Sequence, residues 1–93
     1  AGLRSETRGS SLHVELLGEW HAAAVGRLGR ELEALPLAGV GEVVVRAAGA
    51  GSIDISGGWL LQRFEARVRA AGATLRWDGE RPEPVRLVEE RLG

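Results

Sequence analysis

Leu60, Leu61, Phe64, Val68 and Ala71 recur at steps of three and four residues, shortly after a β-branched run, Val43-Val44-Val45, that has no such spacing. The first pattern predicts a helix with one buried face, the second a strand. Between them lies Ser52-Ile53-Asp54-Ile55-Ser56-Gly57-Gly58-Trp59, the end of a loop and the start of that helix. Asp54 or Ser56 can cap it, because a short side-chain oxygen accepts from first-turn N–H groups that lack helical partners. Gly57 and Gly58 lower helix propensity, so they do not serve the helix itself. They leave its first turn open to close approach.

The rest of the chain repeats the alternation of strand and helix. Leu3 to Thr7 suits a short first strand, and Gly9-Ser10-Ser11 a turn. Leu12-His13-Val14-Glu15-Leu16 alternates strictly, which predicts a strand with Leu12, Val14 and Leu16 inward and with Gly18 as its break. Val25, Leu28, Leu32 and Leu35 form one stripe of a first helix, from about His21 to Leu35, which Pro36 ends. The next strand is Glu42 to Arg46, and Ala47 to Ser52 reads as a Gly/Ala loop. The second helix runs from about Ser56 to Ala71, where Gly72 suits the residue beyond a helix end. Ala73 to Trp77 is a last strand, followed by a turn at Asp78-Gly79. Pro82 and Pro84 suit the start of a final helix, Val85 to Leu92, with Val85, Val88 and Leu92 on one stripe. The predicted class is α/β: a small mixed, largely parallel sheet packed with about three helices.

The 93 residues suit one small domain, which buries about 60–70% of its unfolded surface. A composition of 44% hydrophobic and 27% charged residues is that of a globular chain. The net charge of −1 without a basic stripe gives no support to nucleic-acid or anionic-membrane binding. Cysteine is absent, which removes disulfides and thiol chemistry and suits a reducing compartment. All twelve basic residues are arginine, which excludes a Walker A loop and a Schiff-base lysine. There is no apolar run near the roughly 20 residues of a membrane span, and no signal peptide is expected within these residues. The first residue is not Met, and we expect the domain to be a fragment of a longer chain.

Asp54-Ile55-Ser56-Gly57 followed by Leu60-Leu61 resembles the signature of STAS domains (sulphate transporter and anti-sigma-factor antagonist), in which an Asp-x-Ser/Thr-Gly turn opens the second helix. Gly57-Gly58-Trp59-Leu60-Leu61, with Gly18-Glu19-Trp20, resembles the branch that accompanies permeases of lipid-type ABC transporters. The resemblance covers roughly residues 10 to 90 and implies the same α/β architecture. It implies a non-catalytic regulatory module, cytoplasmic or on the inner face of the membrane, that docks on an ATP-binding subunit or permease. The docking residues would be Asp54, Ser56, Gly57, Gly58, Trp59, Leu60 and Arg63. The alternative it implies is an anti-sigma-factor antagonist. There a kinase phosphorylates the serine of the motif, here Ser56, and an anti-sigma factor is the partner.

Two positions depart from the antagonist pattern. His21 stands where an acidic residue is usual, and Arg46 where the strand before the motif commonly ends in Asp. Both alter the charge expected around Ser56 and favour the transporter branch. Trp59 lies off the Leu61/Val68 line and is either a contact anchor or packed under a loop. Trp77 is expected to be structural and Trp20 partly so. Asp54 suits a cap better than a catalytic acid, because the one other aspartate, Asp78, sits in a turn. His13 and His21, with Glu15 and Glu19, give no convergent metal set. No Ser-His-Asp order, G-x-S-x-G or dinucleotide fingerprint is present. No cofactor is expected, with nucleotide binding a minor alternative for the class.

Overall fold

The computed structural model describes residues 1–92. Along them run β1 (Gly2–Arg8), β2 (Ser11–Trp20), a 3-10 turn (Ala22–Ala24), α1 (Val25–Glu33), β3 (Glu42–Arg46), β4 (Ala50–Ile53), α2 (Ile55–Ala70), β5 (Thr74–Trp77) and α3 (Glu83–Leu92). The side chain of Leu92, expected on the last stripe, and Gly93 lie outside the described residues. β1 and β2 form an antiparallel hairpin, and β2, β3 and β5 are parallel, in the order β1-β2-β3-β5. This is the mixed sheet with three helices that the sequence predicts.

The register explains the alternation. Leu12 pairs with Val43 and Val43 with Leu75, while Val14 pairs with Val45 and Val45 with Trp77. These rows share one face, where Leu28 and Leu32 of α1, Leu61, Phe64 and Val68 of α2, and Val85 of α3 join them in a single core. Each such side chain contributes about 1.5–3 kcal/mol by burial, against at most about 1 kcal/mol for an exposed ion pair. The core therefore dictates where the helices lie. The opposite row, His13–Val44–Arg76, carries ion pairs instead: Arg76 with Glu42 at 3.6 Å and Arg46 with Asp78 at 2.7 Å.

Three expectations are corrected. Gly18 does not end the strand. It takes φ 71°, the register shifts between Gly18 and Glu19, and β2 continues to Trp20. A glycine in left-handed backbone allows this bulge where another residue would be strained. β2 pairs with β3 as far as Glu15 and with β4 from Gly18 to Trp20. The second correction is β4 itself, expected as loop: Ala-Gly-Ser-Ile has no hydrophobic alternation to announce a strand, and its pairing with β2 makes it one. Third, α1 is shorter than expected. Residues 22–24 wind as 3-10, and Leu35 is buried just past the helix end rather than within it.

A further feature has no hydrophobic signature. Glu65 lies on α2 with 1% of its surface exposed. Its carboxylate accepts from Trp77 Nε1 at 2.7 Å and from Arg81 through Nε at 3.0 Å and Nη2 at 2.6 Å. Arg81 also donates to Glu89 on α3 at 3.1 Å. One buried carboxylate thus fastens the connection between β5 and α3 to α2, and these carboxylates push the Arg81 guanidinium above its ordinary pKa.

Candidate functional site

α2 begins at Ile55 because Asp54, in extended backbone, caps it: Oδ1 accepts from Gly57 N at 2.9 Å. Of the two caps the sequence allowed, Asp54 is the one used. Its second oxygen accepts from Ala22 N at 3.1 Å, at the start of the 3-10 turn, which has no side-chain cap of its own. One carboxylate therefore ties two helical starts together across 32 residues. These bonds, that from Gly57 above all, hold the Asp54 carboxyl below the usual carboxylate range, with the nearby His21 adding a smaller effect. A lowered folded pKa contributes stability that is present above the unfolded value of about 4 and is lost as pH falls through the folded one. Urea midpoints of the native chain and Asp54→Ala should differ most at neutral pH and converge as pH falls below about 4. A gap that does not change with pH would show that the carboxylate's charge is not what the cap uses.

The expected partner-contacting residues divide by exposure. Ile55 is 56% exposed and Trp59 37%. They stand four residues apart on the same side of α2, away from the Phe64/Val68 stripe. Ser56 sits between them, half-buried, with no hydrogen-bond partner for its hydroxyl among the described residues. No buried side-chain oxygen is left unsatisfied there, so this hydroxyl reaches solvent. Ile55, Ser56 and Trp59, with Ala22, Val25 and Val88, line a shallow, mainly apolar hollow. Arg63 lies with its guanidinium 4.7 Å from the centre of the Trp59 ring, a cation–π contact.

Gly57, Gly58 and Leu60 are buried instead. The close approach at the two glycines comes from the chain itself. A Cβ on Gly57 would stand 2.2 Å from Trp20 O, and one on Gly58 2.6 Å from the Pro84 backbone. The glycines let the end of β2 and the start of α3 pack on the first turn of α2, so they do serve stability. Leu60 turns into the core at 8% exposure. Trp20 is fully buried, and Trp77 is half-buried against the core with its N–H on Glu65.

Of the two departures from the antagonist pattern, only His21 lies near the cap. Its Nε2 is 2.6 Å from Ser52 Oγ and its Nδ1 3.7 Å from Glu19. Arg46 is engaged by Asp78 and His13, on the sheet face opposite the helices. Ile55 was not among the expected contact residues. Its signal was available, since Ile55 and Trp59 form an i,i+4 apolar pair off the buried stripe.

The mixed sheet with three helices on its core is the fold of STAS and anti-sigma-factor antagonist domains. The particular structures it matches include the STAS domain of an antisigma-factor antagonist from Rhodobacter sphaeroides, with a TM-score of 0.70 at 22% identity over 83% of this chain and 84% of that one. The phosphorylated Bacillus cell fate determinant SpoIIAA gives 0.68 at 16% identity over 95% and 81%. Mglu gives 0.70 at 22% identity over 83% of this chain, which spans only 19% of Mglu. At these identities the likeness is one of fold. No family model matches the chain, and no curated protein matches its sequence. No helix among the described residues is long and apolar enough to cross a membrane.

Proposed function

We propose that this chain is a non-catalytic interaction module that docks a protein partner through Ile55, Ser56 and Trp59, and that the partner is the ATP-binding subunit or permease of a lipid-type ABC transporter. The observation that carries the docking reading is the exposed Ile55/Trp59 pair at the Asp-capped start of α2. Two large apolar side chains left in water on a small domain are suited to a partner's pocket, and a Trp is the residue type that most often dominates such contacts. The transporter part rests on the resemblance of residues 57–61 and 18–20. Titrating the labelled domain with the ATP-binding subunit of such a transporter should shift the amides of residues 54–63. Trp59→Ala should weaken binding by about 2 kcal/mol, roughly thirtyfold. Unchanged affinity in calorimetry would remove Trp59 from the contact.

A second reading, an anti-sigma-factor antagonist switched at Ser56, is favoured by one observation: the Ser56 hydroxyl reaches solvent at the hollow that Ser56 lines with the two apolar side chains. A phosphate there would add about two negative charges beside Asp54 and within the apolar contact, and would release the partner. Incubation with a neighbouring kinase and ATP should then add one phosphate to Ser56 by intact mass. A chain that stays unmodified would leave the transporter reading alone.

A further inference from the structure

Arginine is the chain's only basic residue besides histidine, and most arginines are matched by a carboxylate. Among the described residues, Arg30, Arg63, Arg67 and Arg91 are not. The first three line one groove of about 290 Å³ between α1 and α2, where Glu33 is the one acid. A chain of net charge −1 thus gathers three of these four arginines in one place. Two of these cations are held in position. Arg67 donates to the carbonyls of Leu32 at 2.8 Å and Glu33 at 3.2 Å, in the last turn of α1, and of Leu35 at 3.3 Å just past it. Arg63 lies over Trp59.

The groove's interior is apolar, with Trp59, Leu60 and Phe64 from α2 facing Val25 and Leu32 of α1. Its α1 wall carries Gly26 and Gly29. A Cβ at either would meet its nearest neighbours at 3.6 and 3.5 Å, ordinary contact distances. Packing within the chain therefore does not require glycine there, in contrast to Gly57 and Gly58. Both weaken α1 and keep the groove open.

We propose that this groove receives an acidic, amphipathic segment of the partner protein, its apolar side chain seated on Trp59 and Phe64 and its carboxylates on Arg30 and Arg63. This rests on the docking reading and names the chemistry of the partner. A flat lipid surface fits a recessed aromatic floor less well than an inserted side chain does. A second copy of the chain offers little to match, because Glu33 and Glu80 are the only carboxylates among the described residues with neither a cation nor a backbone N–H against them.

The test is selection of a displayed library of random peptides on the domain, followed by NMR mapping of the synthetic winners. Winners should be acidic with an aromatic or aliphatic anchor, and should shift residues 26–33 and 59–67. Their binding should weaken about tenfold or more in the Arg30→Glu/Arg63→Glu double variant and fall with added salt. An unchanged thermal midpoint would show that the two exposed substitutions leave the fold intact. Neutral or basic winners, or affinity indifferent to the double variant, overturn the proposal. So do capture by phosphatidylglycerol vesicles through the same arginines, or a concentration-dependent dimer mapped to this groove. Winners lost on Ile55→Asp but not on charge reversal leave the docking reading standing and overturn the acidic groove alone. A library that yields no binder to either surface overturns both.

Discussion

Replacing Arg81 by methionine should lower the unfolding free energy by about 3–5 kcal/mol, the cost of leaving a buried charge without its partner. Among the described residues, Glu65 is the one charged residue in the buried set. Three of its hydrogen bonds are to Trp77 and Arg81, two of them from the guanidinium itself. Without that group the carboxylate keeps the Trp77 N–H and a cation at 3.8 Å, Arg69, whose side chain is largely in water. A neutral indole N–H does not replace a bidentate guanidinium, which is the stronger, charge-assisted kind of bond. Methionine retains much of the arginine's stem packing, so the loss reports charge rather than volume. Urea melts of three chains separate the causes. The double variant Glu65→Leu/Arg81→Met should recover most of the stability, because an apolar pair of similar volume has no charge to desolvate. A loss below about 1 kcal/mol for Arg81→Met would mean that the pair behaves like an exposed salt bridge.

Gly57→Ala should destabilise by about 2 kcal/mol or more, although alanine is the better helix former by about 1 kcal/mol. The added carbon would lie 2.2 Å from Trp20 O and 2.9 Å from the Trp20 Cβ. The first of these is backbone, itself fixed by Asp54 N donating to it at 3.1 Å, so it cannot swing aside as a long side chain would. Either α2 or the end of β2 must move, and the Asp54 cap moves with it. For a domain of this size the loss corresponds to about 10 °C in melting temperature. Gly26→Ala is the control with opposite sign. Its Cβ meets nothing closer than an arginine tip at 3.6 Å, so the helix-propensity gain stands and the chain should be stabilised by about 0.5–1 kcal/mol. If both substitutions stabilise, the close packing of β2 on α2 is not what Gly57 serves.

The two glycines at the start of α2 show how far sequence reasoning reached into the site. That they make room was legible, because nothing in a helix favours them. What fills the room was not. The occupants, Trp20 and Pro84, lie far along the chain on either side, and no local pattern points from one to the other. Trp59 and Leu60 are adjacent, yet one faces water and the other the core. Helical periodicity separates them once Ile55 is paired with Trp59, so that part was readable from spacing alone.

The sequence by itself determined the elements whose signal is local. Alternation in Leu12 to Leu16 specifies a strand and its inward face, and the three- and four-residue steps from Leu60 to Val68 specify a helix and its buried side. Asp54 caps that helix because a side-chain oxygen reaches an N–H three residues ahead. Only the tertiary structure decided the rest. β4 is a strand because β2 lies beside it from Gly18 onward, and the 3-10 turn takes its cap from Asp54, 32 residues away. Glu65 is buried because Arg81, sixteen residues on, is brought to it by the turn after β5. Each of these depends on backbone or polar groups meeting across the fold. Such groups are satisfied by whatever partner the packed core brings near, and their own residues carry no periodic signature of it.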